Sequence, residues 1–258
     1  MPNALVCVEK NQHRVKELVP LLTDFQGWDI RVCYDDEVNL EQLQAFLDEI
    51  DFHFLIYSKP LEPATLEELK VIRKRYPFLF IIYYNSCLHN QQFLKLSELG
   101  INSCIIGIQR KNYLKENLTH FWQQHWKHVP EKIYARPYSS LSVRAKRILT
   151  FIENRSLSHC KINTIASYLN ISASHFRAEF KNEFKINFRE FKRRLFGHYE
   201  AILLLEKNYK PNEVYRILNY SNIANLSRSF KTRHGESWRI LNHADLKAAE
   251  KTVSSLSQ

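Results

Sequence analysis

Two stretches of the chain place the same kinds of side chain at the same spacing. In the first, Ser172, Ser174, Arg177, Ala178 and Lys181 alternate with an apolar pair, Phe176 and Phe180. In the second, Asn222, Ala224, Asn225, Arg228 and Lys231 alternate with Leu226 and Phe230. On a helix the apolar pair faces one way and the polar residues face the other. A helix face with small and polar residues near its start, and Arg and Lys further along, suits double-stranded DNA. Arginine pairs in bidentate fashion with guanine O6 and N7, and asparagine with adenine, each worth ~1–3 kcal/mol of discrimination. Ser174, Arg177, Ala178, Ala224, Asn225 and Arg228 are therefore the expected base contacts. Ser172, Lys181, Asn222 and Lys231 are the expected phosphate contacts.

Each of these faces needs an element to aim it. Ahead of the first lies a short apolar helix from Ile162 to Leu169, then a tight turn at Asn170. Ahead of the second, Pro211 to Leu218 and a turn at Asn219 repeat the design. Asparagine tolerates the left-handed conformation such a turn requires. Ser172 and Asn222 are good N-caps for the helices that follow. The spacing is that of a helix-turn-helix, present twice. A long helix, Phe188 to Lys207, links the two motifs. A further helix from Leu141 to Ile152 precedes both, with Leu141, Ala145, Ile148, Leu149 and Ile152 on one face. Lys192, Arg193 and Arg194 read as a solvated face of the linking helix, with Arg194 structural.

From Leu141 to Asn242 the chain resembles the DNA-binding domain of the AraC family of bacterial transcription regulators. The residues that carry the resemblance are Ala166, Phe180-Lys181, Phe191-x-x-Arg194-Leu195, Leu203-Leu204, Val214, Asn219-Tyr220-Ser221 and Ser227-Arg228-Ser229-Phe230-Lys231, ending at Gly235. The chain departs from the family pattern at four places. Glu200 stands where alanine is usual, Tyr215 where a small residue is usual, Glu179 where an apolar residue is usual, and Trp238 where proline is usual. The resemblance implies an all-α domain whose two second helices read successive major-groove segments.

Charge divides the chain the same way. Residues 1–130 hold 14 Lys and Arg against 16 Asp and Glu, whereas residues 131–258 hold 23 against 11. All of the net charge of +10 therefore lies in the second half, as expected if that half meets a polyanion.

The first half alternates strands and helices. Strand patterns occur at Ala4–Val8, Asp29–Tyr34, Phe52–Tyr57, Phe78–Tyr84 and Ser103–Ile106. Helical patterns lie between them: Val15, Leu18, Val19 and Leu22; Leu40, Leu43, Phe46 and Leu47; Leu66, Leu69 and Ile72 after Pro63; Phe93, Leu94 and Leu96. A last helix starts near Arg110. This order predicts a five-stranded parallel sheet covered on both faces, an α/β domain of flavodoxin-like type. It resembles a response-regulator receiver domain in length, in order and in the turn proline Pro60. The family's chemical residues are absent or broken. The acidic pair after the first strand reads Glu9-Lys10, and the phosphoacceptor position falls on Ile56, flanked by Tyr57 and Ser58. The Ser/Thr position falls in Tyr84-Asn85-Ser86, and the Lys-Pro pair corresponds to Gly107-Ile108. Aspartyl phosphorylation needs a carboxylate nucleophile and acids to hold Mg²⁺. A receiver-shaped domain with no phosphoacceptor, not switched by phosphorylation, is the expectation.

The remaining chemistry is sparse. His120, His125 and His128 do not share one helical face, so no metal site is expected. Five cysteines at scattered spacings read as reduced thiols. Cys7, Cys33 and Cys104 belong to strands, and Cys87 in a loop is a weak candidate for a thiol sensor. With five glycines, and no Ser/His/Asp order, neither a phosphate-binding loop nor catalysis is expected, and no cofactor. No apolar run reaches the ~18–20 residues of a membrane span, and no signal peptide is visible. The expected domains are a receiver-like domain over 1–122, a linker over 123–140 with Pro130 and Pro137, the DNA-binding domain over 141–243, and a frayed tail over 244–258. The helix from Arg110 is read as running to about Val129, with Leu114, Leu118, Phe121, Trp122, His125 and Val129 as an apolar stripe beside Trp126. That stripe, centred on Leu118, Phe121, Trp122 and Trp126, is the expected dimerisation surface.

The reading is a cytoplasmic bacterial transcription regulator, with double-stranded DNA, a second copy of the chain and RNA polymerase as partners and no membrane. The rivals are a protein-docking signalling module with vestigial DNA binding, and an enzyme built on the α/β domain.

Overall fold

The structure is a computed structural model. It describes residues 2–8, 15–18, 20, 25, 27–34, 39–134 and 136–241. The expected acidic-pair residues Glu9 and Lys10, the pattern positions Val19 and Leu22, and the tail from Asn242 onward lie outside the described residues. The chain forms two compact units, residues 1–125 and residues 126–258.

The first unit is a five-stranded parallel sheet: β1 (Asn3–Val8), β2 (Asp29–Tyr34), β3 (Phe54–Ser58), β4 (Phe80–Asn85) and β5 (Ser103–Ile106), in the order β2-β1-β3-β4-β5. That is the flavodoxin-like order. Residues 15–18 are helical. The helices α1 (Leu40–Glu49), α2 (Pro63–Arg75), α3 (Asn90–Glu98) and α4 (Arg110–Gln123) follow the later strands. Central strands β1 and β3 are buried along their whole length, as strands covered on both faces must be. Leu5, Cys7, Leu55, Tyr57 and Tyr83 face α1, α2 and α3, while Val6, Phe54, Ile56 and Ile82 face Leu18 and the α4 residues Leu114 and Leu118. α3 is seated by Leu96, and its Phe93 and Leu94 are exposed, contrary to their expected place on a buried face.

The expected dimerisation stripe is corrected by the structure. Helix α4 stops at Gln123, so it does not run on to Val129. Leu114 and Leu118 are fully buried, and Phe121 and Trp122 are half-buried against the same core. Trp126 is buried and belongs to the second unit, where its ring meets Tyr199 at 5.5 Å. Leu114 and Leu118 are the covered inner face of α4, and Phe121 and Trp122 are covered in part.

The expected linker is corrected as well. Residues 126–134 are part of the second unit. Val129, Ile133 and Tyr134 are buried, and the buried hydroxyl of Tyr199 donates to the Lys127 carbonyl at 2.8 Å. Glu153 Oε1 accepts from the Val129 N–H at 3.1 Å and pairs with His128 Nδ1 at the same distance. Pro130 and Pro137 each start a short 3₁₀ turn, Glu131–Ile133 and Tyr138–Ser140, where a fixed φ suits the geometry and a missing N–H costs nothing.

Among the described residues the second unit continues with the helices α5 (Val143–Asn154), α6 (Ile162–Tyr168), α7 (Ala173–Phe184), α8 (Phe188–Ala201), α9 (Pro211–Ile217) and α10 (Ile223–His234). α8 runs on into a π-helical turn, Ile202–Glu206. Both turns form as the sequence predicts. Asn170 and Asn219 have φ of 55° and 58°, the left-handed region. Both caps form too: Ser172 Oγ accepts from the His175 N–H and Asn222 Oδ1 from the Asn225 N–H.

Alanine lacks the local hydrogen bonding that lets asparagine hold a left-handed turn, and that conformation costs most residues ~1–2 kcal/mol. Asn170→Ala and Asn219→Ala should each lower the stability of the C-terminal unit by about 1 kcal/mol. The glycine variants should be neutral or better. Chemical denaturation of the four variants checks this.

Candidate nucleic-acid interface

Helix α7 is fixed by one face. Phe176, Phe180 and Phe184 are fully buried, and the Phe180 ring packs on Phe188 at 5.1 Å and Phe191 at 5.2 Å. The opposite face carries Ser174, Arg177, Ala178 and Lys181, all exposed. Among the described residues the Arg177 and Lys181 side chains have neither an ion pair nor a hydrogen bond. Glu179, between them, turns to α5 instead: Arg144 Nη1 donates to its two oxygens at 2.9 and 3.0 Å, and His175 Nε2 lies 3.5 Å away. Glu179 is thus paired within the domain, which leaves the outward face cationic.

Helix α10 is held the same way by Leu226 and Phe230, both fully buried. Its outward face carries Ala224, Arg228 and Lys231, exposed, and Asn225, half-buried. Asn225 Nδ2 donates to Ser221 Oγ, and its Oδ1 accepts from Arg228 Nη1 at 3.4 Å. Arg228 and Asn225 therefore present one joined polar edge. Ser172 and Asn222 spend an oxygen on capping, and the Ser172 hydroxyl also meets Ser174 Oγ at 3.0 Å. The Asn222 amide N–H groups are still able to donate to an anion.

A buried ionic cluster sets α10 against α8. Glu200 is fully buried, and its Oε1 accepts from Arg233 Nη1 at 2.5 Å and from the Tyr220 hydroxyl at 2.5 Å. Arg233 Nη1 also reaches the Tyr220 oxygen at 2.7 Å, and His234 Nε2 lies 3.6 Å from Glu200 Oε2. Burial and the neighbouring Glu200 push the Tyr220 phenol above its ordinary range. The sequence marks Glu200 as unusual but does not name its partner, because Arg233 meets it only through the crossing of two helices. Tyr215, the second departure, keeps its hydroxyl on Arg216 Nε at 3.1 Å, and Trp238 is half-buried beneath Arg239, whose guanidinium sits 5.2 Å from its ring.

The expected phosphoacceptor position lies on β3. Ile56 is fully buried, paired in register with Val6. Beyond Ser58 the chain places Lys59, whose amine pairs with both oxygens of Glu68 at 3.1 Å. The Lys59 carbonyl accepts from the Tyr83 hydroxyl at 3.3 Å, and Asn85 Nδ2 donates to that hydroxyl at 2.8 Å. Glu68 is thus paired with the lysine that follows β3.

His120 bonds Gln124, His125 stacks on Trp122 and meets the Phe54 ring tilted and the His53 ring edge-on, and His128 pairs with Glu153. Among the described residues no three His, Cys, Asp or Glu side chains gather as a metal site. Cys7 and Cys33 are buried neighbours in register on β1 and β2, and Cys160 is buried. Cys104 is half-buried on the edge strand, and Cys87 is exposed. Burial raises the Cys104 and Cys160 thiols, the latter to about 11, which keeps them protonated. Among the described residues no helix is long and apolar enough to cross a membrane.

No protein-family model matches the sequence, and no curated protein matches it. Solved structures similar in fold include the RcsB response regulator of Salmonella typhimurium, 15% identical, covering 72% of this chain and 92% of that one, with a TM-score of 0.42. A complex of the two-component response regulator RcsB with DNA is 14% identical, covers 78% of this chain and 100% of that one, and has a TM-score of 0.41. A CheY-like protein of Pseudomonas aeruginosa PAO1 is 19% identical, covers 46% of this chain and 93% of that one, and has a TM-score of 0.37.

Removing one partner of a buried ion pair costs ~3–5 kcal/mol, whereas replacing both by apolar side chains costs far less. Arg233→Met should therefore destabilise the C-terminal unit by about 3 kcal/mol, and Glu200→Met/Arg233→Met should recover most of that. Urea denaturation of the two variants measures both effects.

Proposed function

We propose that this chain is a sequence-specific DNA-binding transcription regulator. Its C-terminal unit is read as an AraC-type pair of helix-turn-helix motifs that meet successive major-groove segments. The observation that carries this reading is the pair of matching outward faces on α7 and α10. Each is backed by fully buried apolar residues, and each offers an exposed arginine with no carboxylate partner among the described residues. A helix that enters a major groove needs such a face near its N-terminal turns. Arg177 and Arg228 are the base-reading residues, supported by Ser174, Ala178, Ala224 and Asn225. Ser172, Lys181, Asn222 and Lys231 anchor phosphates. The left-handed turns and the two caps aim both helices, and the concentration of positive charge in residues 131–258 supports the same partner.

The first unit is proposed to act as a regulatory module independent of aspartyl phosphorylation, and not as an enzyme. Ile56 in the core and the Lys59–Glu68 pair at the end of β3 support this. A second copy of the chain and RNA polymerase are the protein partners that fit a regulator working at promoters in the cytoplasm.

Sites selected from random DNA supply the probe. Arg177→Ala and Arg228→Ala should each lose ~1–3 kcal/mol of discrimination, about 5- to 150-fold, at one or two base pairs in separate segments. Competition binding against single-base variants of the selected site reads this out. Equal loss on selected and random DNA would make that arginine a phosphate anchor. No preference for any selected site in the unaltered chain would favour the protein-docking alternative.

Incubation with a small phosphodonor and Mg²⁺ should leave the mass of the chain unchanged. A stable phosphoryl adduct mapped to residues 1–125 would overturn phosphorylation independence.

A further inference from the structure

The linking helix α8 bears on a cleft that the base-reading helices do not account for. The cleft has a volume of about 840 Å³ and lies wholly within the C-terminal unit. One wall is the start of α6 at Lys161 and Ile162, the floor is the first half of α8, and the far wall is Tyr220 and Arg233. It is therefore bounded by the first motif on one side and the second on the other.

Its charge is lopsided. Lys161, Arg189, Lys192, Arg193 and Arg233 line it against a single carboxylate, Glu190. Arg233 is already spent on Glu200, and Glu190 accepts from Arg193 Nε and Nη2, both at 2.8 Å. The guanidiniums of Arg193 and Arg194 hold the Glu190 carboxyl down at about 2, so it is ionised and neutralised. Lys161, Arg189 and Lys192 have no ion-pair partner among the described residues. The Lys192 amine lies over the Phe196 ring, 5.3 Å from its centre, and both residues line the cleft.

A second cleft adjoins it. A smaller cleft of about 440 Å³ shares Arg193, Tyr220 and Arg233 with it, and is otherwise lined by Asn225, Arg228, Ser229 and Thr232. Asn225, Arg228 and Thr232 are the outward face of α10. The two clefts thus form one basic trough that ends beside the base-reading edge of the second motif.

We infer that this trough binds the DNA sugar-phosphate backbone that runs between the two major-groove segments, with Lys161, Arg189 and Lys192 as the phosphate ligands and Glu190 as the brake that withholds Arg193. The inference rests on the DNA-binding reading above and deepens it. Recognition helices in successive major-groove segments stand about one helical turn, ~34 Å, apart, and the backbone joining those segments must pass the element that joins the helices. Three unpaired cations there add affinity without reading sequence. This replaces the expectation that Lys192 and Arg193 form only a solvated face.

The test is the salt dependence of binding by the full chain, measured by fluorescence anisotropy on a selected duplex and on a random one. Each phosphate contact contributes about 0.9 to the slope of log affinity against log salt. Lys161→Gln/Arg189→Gln/Lys192→Gln should lower that slope by about 2–3 and weaken both duplexes by the same factor, on the order of tenfold or more near physiological salt. All three side chains are solvent-accessible, so the fold should be unaffected, and an unchanged thermal melt confirms it. Glu190→Gln should act oppositely and tighten both duplexes. A slope unchanged in the triple variant overturns the inference, and so does a loss confined to the selected duplex. Saturable binding of a nucleoside triphosphate by the unaltered chain, lost in the triple variant while its DNA slope is unchanged, would assign the trough to a small phosphorylated ligand and overturn it too. Failure of the sequence-specific reading looks different: the unaltered chain would bind selected and random duplexes alike, and the slope comparison would still decide the trough.

Discussion

Each outward-facing helix of the C-terminal unit is gripped by apolar side chains four residues apart, Phe176 and Phe180 in one and Leu226 and Phe230 in the other. At about 3.6 residues per turn, burying that pair fixes the rotation of the helix about its own axis. Whatever lies on the opposite arc must then point outward, and in both helices that arc holds arginine, lysine and small polar residues. The aromatic cluster that Phe180 joins with Phe184, Phe188 and Phe191 ties the first helix to the linking helix. Rotation, tilt and the presentation of Arg177 thus depend on one patch of packing.

Charge is managed around that packing. Two acids of the C-terminal unit each have an arginine from a neighbouring helix. Glu179 takes Arg144, and Glu200 takes Arg233. A carboxylate without such a partner, buried or beside the outward faces, would be costly or would repel a polyanion. The pairing removes both problems and leaves Arg177, Lys181 and Lys231 unneutralised among the described residues. Buried pairs of this kind do not by themselves add much stability, but they penalise other helix crossings, because a shifted α10 would strand Glu200.

The N-terminal unit shows the same separation of architecture from chemistry. Alternating strand faces, one toward α1–α3 and one toward α4, are enough to build the parallel sheet. Nothing in that requirement specifies what stands at the strand ends. Here Ile56 sits in the core, and Lys59 with Glu68 fills the end of β3.

The sequence by itself determined the local elements. The strands at Asp29–Tyr34 and Ser103–Ile106 were legible to the residue, because period and β-branching are local signals. So were the turns at Asn170 and Asn219 and the caps at Ser172 and Asn222, because each is made within a few residues of itself. The outward faces followed from helical spacing alone. What the sequence could not decide was every question of which apolar or charged group another element covers. The stripe of Leu118, Phe121 and Trp122 looked unpartnered, but it is the inner face of a helix that ends at Gln123. Residues 123–140, with Pro130 and Pro137, looked like a linker, and Glu153 and Tyr199, distant in sequence, bind Lys127 and Val129 into the second unit. The partner of Glu200, and the meeting of Lys161, Arg189 and Lys192 around one cleft, depend on how helices cross. Periodicity states which side of a helix is apolar, and only packing states what lies against it.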